Sequence, residues 1–145
     1  MAVNNNPIFT GTPQIEGAES IVTANNTIDL TSGTSYLVFT AGANGSWVSH
    51  ARIKANPSAN TAASVMRFWL NNGDGTAASN DSYFIGEISL PATTASATTA
   101  LADWVYPLNM ALPPSWRIYV TIGTAPGGSG EFTCTVIGGS YVAQA

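Results

Sequence analysis

The sequence predicts an all-β fold: a single-domain β-sandwich of jelly-roll type, about eight strands, with an extended N-terminal arm. Three observations lead there. Helical periodicity is nearly absent, while apolar and polar residues alternate in short runs. Clusters of Gly, Pro, Asn and Asp separate those runs at the regular spacing of short strands. The chain has 145 residues, enough for one domain with a core of its own.

The first eighteen residues, "MAVNNNPIFTGTPQIEGA", are rich in Asn, Pro and Gly and read as the arm, with the jelly-roll domain over 19–145. Strands are expected at 19–23 with 27–30, then at 35–40, 46–55, 64–71, 82–90, 103–111, 115–123 and 131–138. The connections "TSGTS", "AGANGS", "NNGDGTAASND", "LPPS" and "APGGSG" carry the residues that turns need for fixed or positive φ. "PATTASATTALAD" has the Ala content of a short helix, but its β-branched Thr residues oppose one, so it reads as a loop.

Strand phase predicts the core. In "WRIYVTI" the residues Trp116, Ile118, Val120 and Ile122 share a face, with Arg117, Tyr119 and Thr121 opposite. In "FTCTVIG" the inward set is Phe132, Cys134 and Val136, with Thr133 and Thr135 outward. In "MRFWLNN", Met66, Phe68 and Leu70 oppose Val65, Arg67 and Trp69, so this strand is apolar on both faces apart from Arg67. A second apolar face implies a cover from a partner subunit or the arm.

Composition narrows the function. Charged residues are 8% of the chain, against about 25% in ordinary proteins, which suits a chain that lives in an assembly. The net charge of −4 argues against general nucleic-acid binding. No run approaches the ~20 apolar residues of a membrane helix, and the start lacks the pattern of a signal peptide, so synthesis in a cytoplasm is expected. The single cysteine, Cys134, rules out an intrachain disulfide or a cysteine metal cluster, and no metal or cofactor is expected.

Catalysis is not expected either. The only histidine, His50, follows Ser49, and strict alternation places the two on opposite faces. The eight carboxylates are scattered, and no pair stands out as acid and base. "NNGDGTAASND" lacks the closing carboxylate of a calcium loop and reads as a turn. Four tryptophans could build a sugar-stacking platform, although buried aromatics more often serve packing or interfaces.

One concentration of charge stands out. On strand 46–55, alternation places Trp47, Ser49, Ala51, Ile53 and Ala55 on one face, and Val48, His50, Arg52 and Lys54 on the other. Three of the five potentially cationic side chains share that second face, which is either solvated or set against an acidic surface.

The segments "PIFTGTPQI", "VFTAGANGSWVSHARIKA", "SVMRFWLNNG", "GEISLPATTASAT", "LPPSWRIYVTIGT" and "FTCTVIGGSY", in this order, resemble a family of small structural proteins of tailed bacteriophages and prophages. The resemblance covers nearly the whole chain and departs from the family pattern at Trp47 and Ser140. It implies a jelly-roll capsid decoration (cement) protein, a homotrimer on the capsid exterior whose partner is the major capsid protein. Asn6, Pro7, Ile8 and Phe9 of the arm, with His50, Arg52 and Lys54, are the expected contacts with the shell or another subunit. The alternatives are a carbohydrate- or receptor-binding module on the virion, or a tail or connector component.

Overall fold

The computed structural model describes residues 10–25, 27, 30, 32–73 and 82–142. Eight strands form two four-stranded antiparallel sheets, with no helix among the described residues. They are β1 (Thr10–Ile21), β2 (Tyr36–Thr40), β3 (Ser46–Ala55), β4 (Ser64–Asn71), β5 (Ser82–Leu90), β6 (Trp104–Leu112), β7 (Arg117–Ile122) and β8 (Phe132–Tyr141). One sheet has the order β1-β8-β3-β6 and the other β2-β7-β4-β5. Four of the pairings are nested: β4 with β5, β3 with β6, β2 with β7 and β1 with β8. The chain is thus one long hairpin, doubled back between β4 and β5 and rolled so that its layers fall alternately into two sheets. That is the jelly roll.

The apolar residues of each strand alternate inward because one face of each sheet must leave water. Val48, Ile53, Met66, Phe68, Ile118, Val120, Ile122, Phe132, Cys134 and Val136 meet in the core between the sheets. Phase is as expected on β4, β7 and β8. Burial among apolar neighbours pushes the Cys134 thiol up to about 12, so it remains a protonated core side chain.

Two edges of the sandwich are closed by specific contacts. On the β1–β2 side, the Gln14 amide donates to the Thr40 carbonyl at 2.7 Å. Its oxygen accepts from the Ser46 and Ser140 hydroxyls at 2.9 and 2.8 Å, and Glu16 accepts from the Thr40 amide at 2.8 Å. On the β5–β6 side, Tyr106 stacks flat on Phe68, ring centroids 4.4 Å apart, and its hydroxyl donates to the Ile85 carbonyl at 3.2 Å.

Three expectations need correction. The arm gives way to strand at Thr10: residues 10–18, expected within it, belong to β1, which pairs with β8 from Thr10 opposite Tyr141 to Ile21 opposite Phe132. Gln14 and Glu16 serve in this edge strand because they meet polar groups of Thr40, Ser46 and Ser140, while Ala18 and Ile21 pack on the core. The strand expected at 27–30 is absent at Thr27 and Leu30, the two of those residues described. Leu30 instead takes a positive φ of 59° and packs, 3% exposed, on Trp69. On the outer face of β4, Trp69 is therefore covered from within the chain, by Leu30 of the β1–β2 connection. Trp69 is 4% exposed and its indole N–H donates to Thr121 Oγ1 at 3.1 Å.

Candidate functional site

The third correction lies on β3 and defines the candidate site. Val48 pairs with Gly138 and His50 with Ile137, so Ser49 is an extra residue, a β-bulge. A one-residue insertion exchanges the faces on one side of it. Ser46 and Val48 before the bulge are fully buried, as are Ala51 and Ile53 after it. Trp47 accordingly points out, onto the same face as His50, Arg52 and Lys54, while Val48 leaves that face for the core.

The bulge also joins what alternation separated: Ser49 Oγ lies 3.0 Å from His50 Nδ1. A catalytic Ser–His pair requires a third group that orients the imidazole. Among the described residues no carboxylate bonds His50, and no cluster of His, Cys, Asp or Glu could hold a metal.

The outer face of the β1-β8-β3-β6 sheet can be read across its strands. Ile15, Ile137, His50 and Pro107 form one row, and Gly17, Thr135, Arg52 and Val105 the next. Thr133 and Lys54 pair in the row beyond. Trp47 lies between Gly139 and Ala111 at the other end. Ile15 is 68% exposed, Trp47 40% and Val105 51%.

The charges are arranged along β3. Arg52 forms a salt bridge with Asp103, which raises the affinity of the guanidinium for its proton and holds the Asp103 carboxyl below the usual carboxylate range. Lys54 Nζ donates to the Leu101 carbonyl at a long 3.4 Å. Between β1 and β3 runs a shallow groove of about 380 Å³, lined by Ile15, Arg52, Lys54, Thr133, Thr135 and Ile137. Threonines floor it, an apolar end lies at the isoleucines and a cationic wall at β3.

The structure thus brings together the three residues expected on β3. Asn6, Pro7, Ile8 and Phe9 lie outside the described residues. Ile15, Ile137, Val105 and Trp47 were not expected at the site. The alternation of β8, which places Thr133 and Thr135 outward, also selects Ile137; Ile15 was hidden in a segment that reads as an arm, and Trp47 by the bulge. The other tryptophans do not form a platform with Trp47: Trp69 lies under Leu30, and Trp104 and Trp116 pack against the core. Of the loop "NNGDGTAASND", only Asn71–Gly73 are described, and Asn71 Oδ1 accepts from the Gly73 amide at 2.9 Å.

Neither a family model nor a curated protein sequence matches the chain. Solved structures that align with it include a chain of the T13 viral particle of infectious bursal disease virus. The identity is 13% and the TM-score 0.33, over 94% of this chain and 35% of the other. A chain of the Gt strain of infectious bursal disease virus aligns at 12% identity and a TM-score of 0.32, over 95% and 36%. The present chain spans about a third of the length of those chains. The jelly-roll assignment stands on its own strand order.

Proposed function

We propose that this protein is a virion structural protein, a capsid decoration (cement) protein that binds the outside of the major capsid shell of a tailed phage and stabilises it. The observation that carries this reading is the outer face of the β1-β8-β3-β6 sheet. It is apolar at Ile15, Trp47 and Val105 and cationic at Arg52 and Lys54, a combination of exposed apolar and cationic side chains on one sheet face. A face of this kind gains free energy when a partner removes it from water, at about 25 cal/mol per Å² of apolar area. The scarcity of charge and the resemblance of the sequence to phage structural proteins support the same reading.

The mechanism is mechanical. A decoration protein spanning the junction of neighbouring capsid subunits adds buried area across a seam that internal DNA pressure would open. Asn6, Pro7, Ile8 and Phe9 add to the contact, and the resemblance implies three copies at each site. His50, Arg52 and Lys54 meet the acidic part of the shell. No chemical step is involved.

Cryo-EM of the intact particle tests this: the reading expects density for the jelly roll on the outer shell. Its location in the tail or connector would overturn the decoration role, and its absence from the particle would overturn both. In solution, purified protein added to bare capsids should bind saturably and raise their melting temperature.

A further inference from the structure

We propose that the groove between β1 and β3 receives an extended acidic segment of the partner, its carboxylate lodged against Lys54 and Arg52 and a neighbouring apolar side chain seated on Ile15 and Ile137. The proposal rests on the decoration reading for the identity of the partner. For the chemistry of the ligand it rests on the groove alone.

The floor decides what shape can enter. Thr133 and Thr135 of β8 are small, so a backbone can approach the sheet between the taller walls. The groove runs along the strands, where residues two apart on one face are separated by about 6.6 Å. Arg52 and Ile137 occupy neighbouring rows, and Lys54 the row beyond Arg52. An extended ligand repeats at the same pitch, so an acidic residue and an apolar one two to four positions apart meet the two ends together.

The walls decide its polarity. Arg52 and Lys54 stand on β3, whereas Glu19 stands on the β1 side of the adjoining hollow. The ligand's carboxylate must therefore face β3, which fixes its orientation. Arg52 already shares its charge with Asp103, whereas among the described residues no carboxylate bonds Lys54, and the carbonyl it meets is 3.4 Å away. A carboxylate that reaches Lys54 replaces that long contact with a charge-assisted one. A nucleic-acid backbone also offers anions, but the net charge of −4 and Glu19 oppose a polyanion along the groove.

Two measurements test the proposal. In the first, isotope-labelled protein is titrated with a short peptide carrying an aspartate two positions before an isoleucine in a Thr/Ser background. The amide shifts should fall on β1, β3 and β8 around the groove, and Lys54→Glu should weaken binding at least about fivefold. Shifts on the other sheet, no shifts at all, or equal binding of the same peptide with lysine in place of aspartate would overturn it. In the second, the wild type, Lys54→Glu, Ile15→Glu and, as a control on the exposed part of β2, Leu37→Glu are bound to bare capsids, with melting curves confirming that each variant is folded. The two groove variants should lose at least about tenfold in affinity and the control little. A wild type that binds capsids while Lys54→Glu binds equally overturns the groove and leaves the decoration role standing. A wild type that binds the peptide but no capsid overturns the decoration role and leaves the groove. If instead the groove variants dissociate an oligomer of this chain in sedimentation, the occupant is a second copy and the proposal falls.

Discussion

At the scale of single residues, two backbone conformations are held in place by side chains that pack against them. Gly86 has φ +151°, and a Cβ there would overlap the Tyr106 hydroxyl that closes the β5–β6 edge. Gly86→Ala should therefore cost about 2–4 kcal/mol in urea melts, from overlap and backbone strain together. Tyr106→Phe alone should cost about 1 kcal/mol, the value of its hydrogen bond to Ile85. The double variant should cost less than the sum, because phenylalanine leaves room for the new methyl group. Strict additivity would mean that the overlap is not what demands glycine. Leu30 is the opposite case, a bulky residue in the left-handed region, where most residues other than glycine are strained. Its burial on Trp69 offsets the strain. Leu30→Ala should cost about 2–4 kcal/mol and shift tryptophan emission to the red, since Trp69 would meet water.

At the scale of elements, the bulge at Ser49 decides which residues form the outer face of β3. Deleting Ser49 would leave Val48 and His50 adjacent, opposite the adjacent pair Gly138 and Ile137 on β8, so alternation becomes strict while Trp47, His50, Arg52 and Lys54 keep their outward face. The cost falls on the β6 side, where Val48 and His50 oppose Met110 and Pro107 across Leu108 and Asn109. We expect the variant to fold with a loss of about 1–2 kcal/mol, checked by chemical denaturation and by retained dispersion of the amide signals. The same bulge marks the limit of what could be read from residues alone. Seven of the eight strands were legible within a few residues, because alternation and turn chemistry are local properties of β2 to β8. His50, Arg52 and Lys54 were legible as one face because all three lie beyond the bulge. Trp47 was not, because an extra residue changes phase without a residue type that announces it. β1 was missed from Thr10 to Ala18 because its inward residues Gln14 and Glu16 are polar, and their partners, Thr40, Ser46 and Ser140, lie far away in sequence. The strand expected at 27–30 failed for a related reason: Leu30 is as buried as a strand residue, but through a turn.

At the scale of the molecule, two carboxylates tie distant segments together. Glu131 accepts from Ser20 at 2.7 Å and from the Asn56 amide, linking the end of β1, the β3–β4 connection and the start of β8, and these hydrogen bonds hold its carboxyl below the usual range. Asp103 is held low by Arg52. For both groups the folded state binds a proton less readily than the unfolded chain. Their stabilisation is therefore complete above the ordinary carboxylate range and is lost as pH falls through it toward the lowered folded values. The melting temperature should be level from pH 7 to about 5 and decline below about 4. Glu131→Gln should flatten that decline. A decline already under way at pH 6 would overturn the assignment to these two carboxylates. Asp103 is exposed and Glu131 half-buried, so water and salt screen the effect, and it should shrink at high ionic strength.

The nested order of the strand pairs also governs how the chain reaches this state. Only β4 and β5, at the centre of the nest, are close in sequence; β1 and β8 are its two extremes. Bringing β1 to β8 directly would mean closing nearly the entire polypeptide in one step, whereas each inner pair, once formed, shortens the free loop left for the next. Assembly is therefore cheapest from the middle outward, and a topology so rich in distant pairings is slow to form. The strand that walls the groove with Ile15 is then the last to be laid down and the first to peel away. Before it docks, β8 presents a bare edge to every other copy of the chain. A shell partner that grips β1 would consequently fasten the one strand whose departure starts the unrolling.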